Sequence, residues 1–178
     1  MKLVFSIFII LFFSSFVRID SSAKIEAELY RLIMDYRASK RLPKIPLSKS
    51  LTTVAKTHAI DLDLYYKIDT KDACNMHSWS DRGTWTSCCY TNDHKRADCM
   101  WNKPSELSNY IGAGYEIAHW SNHPVTAMGA LAGWKQSKGH NEVIVNKGIW
   151  KTSNWKAIGI GIKNNYAVVW FGEELDVE

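Results

Sequence analysis

The sequence contains no cluster of lysines and arginines that would track a phosphate backbone, and its formal net charge is only +4 over 178 residues. Nothing in it reads as a nucleic-acid interface. An H-E-x-x-H phrase is missing, so no metalloprotease helix is predicted. The four cysteines lack C-x-x-C spacing, which argues against a four-cysteine zinc site. No internal repeat and no low-complexity tract is visible. No apolar run reaches the roughly 20 residues that a membrane span requires. A lipoprotein leader needs a cysteine at its cut site and none precedes Cys74, so a released chain is expected in preference to a tethered one.

What is present begins at the N-terminus. Lys2 is followed by an apolar run from Leu3 to Val17, broken only by Ser6, Ser14 and Ser15. Arg18 and Asp20 end the run, and Ser21-Ser22-Ala23 offers small residues before Lys24. Charge, apolar core and small-residue cut site in that order predict a cleavable export signal over residues 1–23. Removing 23 of the 178 residues leaves 155, enough for one domain with a sizeable core. The charge falls to +3, because Lys2 and Arg18 leave together with Asp20. The expected compartment is secreted: extracellular or periplasmic.

Cys74, Cys88, Cys89 and Cys99 lie in one short stretch. In an exported chain such a cluster predicts disulfides. A bond between the neighbours Cys88 and Cys89 would strain the peptide joining them, so each is expected to pair with Cys74 or Cys99, in either arrangement.

Apolar residues at Ile25, Leu29, Leu32, Ile33 and Tyr36 predict a first amphipathic helix over 25–39. The prolines at 43 and 46 stop it. Ser48 is expected to cap a second helix carrying Leu51, Val54, Ala55, His58, Ala59 and Leu62 inward. From Tyr65 to Pro104 helical periodicity fades into a long loop region. A strand is expected near Tyr115–Ala118. A third helix is expected from Pro124 to Gly139 with Val125, Met128, Leu131, Ala132 and Trp134 inward, then a short one over Glu142–Val145. Ala157–Ile162 alternates strictly, with isoleucines on one face and small residues on the other. Asn164-Asn165 is a tight turn, and Tyr166–Phe171 returns antiparallel. Helices followed by a terminal hairpin predict an α+β fold.

Four phrases carry further meaning: Ala55-Lys56-Thr57-His58-Ala59, Met76-His77-Ser78, Gly114-Tyr115-Glu116-Ile117 and Ser137-Lys138-Gly139-His140. With the Leu42-Pro43 turn and the two terminal strands, their order resembles the CAP superfamily of cysteine-rich secretory, antigen 5 and pathogenesis-related-1 proteins. The single-domain exported bacterial members are most similar. The resemblance runs from about Ala27 to Gly172 and marks 24–178 as a CAP domain. It implies a three-layer α-β-α sandwich with a mostly antiparallel central sheet and an open cavity lined by histidines and glutamates. Carried over by position, His77, Glu116 and His140 line that cavity. Ser137 stands where many members have a second glutamate.

Two imidazoles and a carboxylate suit weak binding of a divalent ion such as Zn2+, with His77 and His140 as ligands. The preferred reading is a binding protein, not an enzyme, that engages an extracellular ligand: lipid, glycan, peptide or protein. The alternatives are a metal-assisted hydrolase with Glu116 as base, and a structural or effector module acting through surface loops. The absent second carboxylate weighs against catalysis. His58 is read as a hydrogen-bonded packing residue and His94 as solvated, and for His119 a role at the cavity rim is the less favoured alternative to a structural one. Trp134, Trp155 and Trp170 are assigned to the core. Trp79, Trp85 and Trp101 are read as covering the core beneath the loop, in preference to stacking on a ligand.

Overall fold

The computed structural model describes residues 21–67 and 73–176. Most of the expected export signal lies outside these residues; Ser21 to Ala23 form the first turn of helix α1 (Ser21–Ser39). Among the described residues no helix is long and apolar enough to cross a membrane.

The chain is α+β. Helix α1 is followed by α2 (Lys49–Tyr65), then by the cysteine-bearing loop with two short helices, α3 (Ala97–Trp101) and α4 (Lys103–Leu107). Strand β1 (Gly114–Trp120) precedes helices α5 (Ala127–Gln136) and α6 (Lys138–Ile144). The hairpin of β2 (Ala157–Lys163) and β3 (Tyr166–Gly172) closes the fold. The sheet is fully antiparallel, in the order β1-β3-β2.

The hairpin sorts the two cores by alternation, because successive side chains on a strand point to opposite faces. Ala167, Val169 and Phe171 join Ile158, Ile160 and Ile162 against α1, α5 and α6. Tyr166, Val168 and Trp170 face the α2 layer. On that side β2 presents Gly159 and Gly161, where a Cβ would stand 2.1 Å and 2.3 Å from the α2 backbone at Leu51 and Ala55. The small-residue face therefore lets α2 lie directly on the sheet. Asn164 takes a left-handed φ of 45° at the hairpin turn, which asparagine tolerates.

Several local expectations hold. Ser48 caps α2, its hydroxyl accepting from the Leu51 amide at 2.9 Å. Trp134, Trp155 and Trp170 are buried. Others shift. Helix α5 starts at Ala127 with Thr126 as its cap, not at Pro124, because the Thr126 hydroxyl takes the Gly129 amide. Met128 is 68% exposed, and Ala132 is also exposed, contrary to their inward assignment. Gly139 does not end that helix; the chain turns at Ser137, and Gly139 lies inside α6. The loop region holds α3 and α4, which its polar composition concealed.

Helix α6 is tied to α1 by a buried polar hub. The Arg37 guanidinium donates to the carbonyl of Ile144 at 2.6 Å and to Asn146 Oδ1 at 2.7 Å. Tyr36 donates to Asn141 Oδ1 at 2.9 Å. These bonds fix the helix that carries His140.

Candidate functional site

His77 is held on a tight turn built by the loop's own backbone. Its amide donates to Asn75 Oδ1 at 3.0 Å, and the Ser78 amide donates to the Asn75 carbonyl at 2.9 Å. Short antiparallel bridges, Cys74 with Thr91 and Trp79 with Cys88, clamp both sides of this turn. The disulfides are Cys74–Cys89 and Cys88–Cys99. That is one of the two arrangements left open by the sequence, and it leaves no free cysteine among the described residues. Both neighbouring cysteines are used, so the bridged segment is stapled to Cys74 on one side and to α3 on the other.

Glu116 projects from β1 and is buried, at 6% exposure. One carboxylate oxygen accepts from His77 Nδ1 at 2.7 Å. The other faces His58 Nδ1 in a short contact. His58 is wholly buried on α2, and its Nε2 donates to the Ser78 carbonyl at 3.0 Å. A carbonyl only accepts, so Nε2 carries a proton. With Glu116 ionised, Nδ1 carries one too, which makes His58 an imidazolium. The electrostatics agree. Burial by itself would lower the His58 pKa, but the charge and hydrogen bond of Glu116 outweigh it and the pKa is raised. Burial would raise that of Glu116, yet His58 and His77 hold it at about 2.

The pair has a consequence for His77. In its neutral form the ring keeps its proton on Nδ1, toward Glu116, and turns the Nε2 lone pair outward. The His140 ring lies 6.3 Å from it, centroid to centroid. Burial, then the nearby His77 charge, lower the His140 pKa to about 4, so this imidazole is neutral near pH 7.

His140 opens onto a cavity of about 300 Å3, shared with His119, Met76, Trp120 and Trp134. His119 approaches α5 closely, since a Cβ at Gly133 would come within 2.8 Å of its ring. Burial lowers the pKa of His119 as well. Beneath the loop, Trp79 stacks on His58 with centroids 4.1 Å apart and planes 7° from parallel. The ammonium of buried Lys103 sits 5.5 Å from the Trp79 ring centre. Trp79 therefore covers the core and buttresses the site, while Trp101 is partly exposed.

The structure places His77 in hydrogen-bond contact with Glu116 and the His140 ring 6.3 Å from that of His77. Ser137 occupies the junction of α5 and α6, and its hydroxyl bonds to none of the three. His58 and His119 are additions. His58 is hydrogen-bonded as expected, but its partner is Glu116, so it belongs to the site. The only available signal was chemical: a histidine on a buried helix face needs two partners, and no sequence rule names them. His94 is exposed, with Nδ1 2.8 Å from the Tyr90 hydroxyl.

Among the described residues no three His, Cys, Asp or Glu side chains converge as a metal site. Both Glu116 oxygens are engaged by histidines, so the carboxylate orients His77 and does not itself face a ligand. His77 Nε2 and His140 are left as the two donors suited to an ion.

The solved structures to which the chain is similar include three bacterial proteins. An extracellular SCP-domain protein of Bacillus anthracis matches at TM-score 0.56 and 14% identity, covering 86% of this chain and 41% of that one. An outer surface protein of Borrelia burgdorferi matches at TM-score 0.60 and 19% identity, covering 88% and 96%. A cysteine-rich secretory protein of Staphylococcus aureus matches at TM-score 0.56 and 13% identity, covering 88% and 40%. The chain thus spans about two fifths of the Bacillus and Staphylococcus proteins and nearly all of the Borrelia one; the likeness is one of fold. No curated protein matches by sequence. The model of the cysteine-rich secretory protein family matches residues 30–169, most of the chain, and the protein belongs to that CAP family.

Proposed function

We propose that this is an exported CAP-domain binding protein whose cleft, walled by His119 and His140 with His77 beside His140, engages an extracellular ligand and holds a divalent ion weakly. The observation that carries this reading is the engagement of Glu116. A general base needs a free lone pair within reach of the proton it takes. The Glu116 side chain has no exposed surface, its oxygens accept from buried His58 and half-buried His77, and the pKa near 2 makes the group a poor proton acceptor. The same engagement suits binding, since a carboxylate behind an imidazole fixes the ring and raises its basicity as a ligand. His77 Nε2 and His140 would hold the ion, with water completing its coordination; a bound Zn2+ would supply Lewis acidity there. The walls of Met76, Trp120 and Trp134 favour an apolar or aromatic portion of the ligand.

Export is supported by the apolar leader, by the two disulfides and by the extracellular and outer-surface character of the structural relatives.

Calorimetric titration of the purified protein with Zn2+ tests the cleft. Micromolar or weaker binding is expected, lost in His77→Ala/His140→Ala and reduced in Glu116→Gln. Unchanged affinity in the double variant would remove the cleft as the metal site. The hydrolase reading would regain ground if a peptide or glycan library showed metal-dependent turnover abolished by Glu116→Gln.

A further inference from the structure

A second cavity lies away from the histidines. It is a slot of about 530 Å3 between α1 and α2, at the opposite edge of the sheet from Glu116. Ala27 of α1, Leu47 just before α2, Thr52 and Lys56 of α2, and Ile160 of β2 are among its walls. Leu47 is 57% exposed beside it.

Strand β2 is an edge strand, so alternate residues turn their amide and carbonyl away from β3. Ile158 is one of them: its amide donates to the Pro46 carbonyl at 3.0 Å and its carbonyl accepts from the Ser48 amide at 2.9 Å. Ile162 is another, its amide capped by Glu26 Oε1 at 3.2 Å. Between them, in unbroken register, Ile160 must face the same way. Its amide and carbonyl have no partner among the described residues, although the residue is only 2% exposed. A buried, unpaired backbone donor and acceptor is costly and uncommon.

The edge already takes extended chain. Leu47 pairs with Ile158 as a parallel bridge, but the chain then turns into α2 at Ser48 before reaching Ile160. From Ile158 to Ile162 the edge runs about 13 Å at the usual strand rise. An added segment of three or so residues would continue this pairing, satisfy Ile160 and lay an apolar side chain against Ala27 and Leu47. The Lys56–Glu26 ion pair, at 2.9 Å, lies at the far end, where Glu26 already imitates a carbonyl acceptor. We propose that this slot binds an extended, apolar peptide segment by strand addition to the β2 edge at Ile160, independently of the histidine cleft.

The test uses a blocked pentapeptide of alternating threonine and valine, together with an analogue N-methylated at alternate residues. Binding is followed in every variant by calorimetric titration, and wherever residue 160 keeps its amide also by the amide signal and hydrogen exchange of Ile160. The parent peptide should protect that amide, and the methylated analogue should bind at least about tenfold more weakly, because it lacks donors but keeps its side chains. Ile160→Pro removes the outward donor without removing a ladder bond, and exposed Ala27→Trp fills the slot from outside. Each should weaken binding at least about tenfold while the unfolding midpoint of Ala27→Trp stays unchanged. The proposal is overturned if Ile160 gains no protection up to about a millimolar peptide. Equal binding of the methylated peptide, showing apolar filling without strand pairing, overturns it too, as does binding indifferent to Ala27→Trp.

Discussion

At the residue scale the site depends on one buried ion pair. His58 and Glu116 have no exposed side-chain surface, so removing one partner strands the other. Glu116→Gln is expected to cost about 3 kcal/mol or more, read by urea unfolding. The pH dependence follows from three groups. The raised His58 pKa contributes stability that is complete below the unfolded value of about 6.5 and lost as pH rises through its folded value. The depressed Glu116 pKa contributes stability present above its unfolded value and lost as pH falls through about 2. His140 acts in the opposite sense to His58. Held neutral with a pKa near 4, it binds its proton more readily when unfolded, so stability falls between about pH 6.5 and 4. Chelated protein should therefore be most stable near neutrality. His140→Gln should flatten the acid limb by about 2 kcal/mol, discounting for its partial exposure. An unchanged acid limb in that variant would show that His140 does not titrate as described.

At the scale of elements, the contact between α2 and β2 is the one most sensitive to substitution. Gly161→Ala would drive a Cβ to 2.3 Å from the Ala55 carbonyl carbon, and backbone cannot step aside as a side chain does. A loss of about 3 kcal/mol or more is expected by thermal melting, with displaced His58 and weakened Zn2+ binding. Ser48→Ala removes the cap of the same helix and the hydrogen bond from its hydroxyl to Asp176, and should cost about 1–2 kcal/mol while leaving the histidines in place. Much of this layer was legible in advance. The Ile-Gly-Ile alternation announces a strand with one face for side chains and one for a backbone. The Asn164 turn, the Ser48 cap and the inward residues of α2 follow from period and turn chemistry. The start of α5 was not legible, because Pro124 and Thr126 are both acceptable openings and only the folded chain shows which hydroxyl meets a free amide. Met128 was misassigned because the inward stripe of α5 is Ala127, Ala130, Leu131 and Trp134, spaced i, i+3, i+4 and i+7, and counting it from Val125 and Met128 puts the wrong side of the helix inward.

At the scale of the whole molecule, the disulfides act on the site through the loop they close. Loops of 15 and 11 residues are each worth about 3 kcal/mol in the chain-entropy model. Replacing Cys74 and Cys89 with alanine should lower stability by that amount in chemical denaturation. Zn2+ affinity should fall at the same time, since His77 sits three residues after Cys74 on the stapled turn. A stable variant with unchanged affinity would show that the short backbone bridges suffice to hold the turn. The two edges of the sheet also divide the labour proposed here, with the histidine cleft beside β1 and the peptide slot along β2.

The sequence by itself determined the α+β class and the family, and supplied the export signal and the trio His77, Glu116 and His140 as expectations. Each of these rests on local pattern, phrase order or composition, which survive without coordinates. Tertiary structure alone decided between the two open disulfide arrangements, turned His58 from a packing residue into the partner of Glu116, brought His119 into the cavity and left Ile160 unpaired at an edge. Those outcomes depend on which groups meet across 58 residues of chain, from α2 to β1, and on where a strand loses its neighbour. Hydrogen bonds and burial are settled by distance in space, and a one-dimensional pattern fixes the donors and acceptors without pairing them.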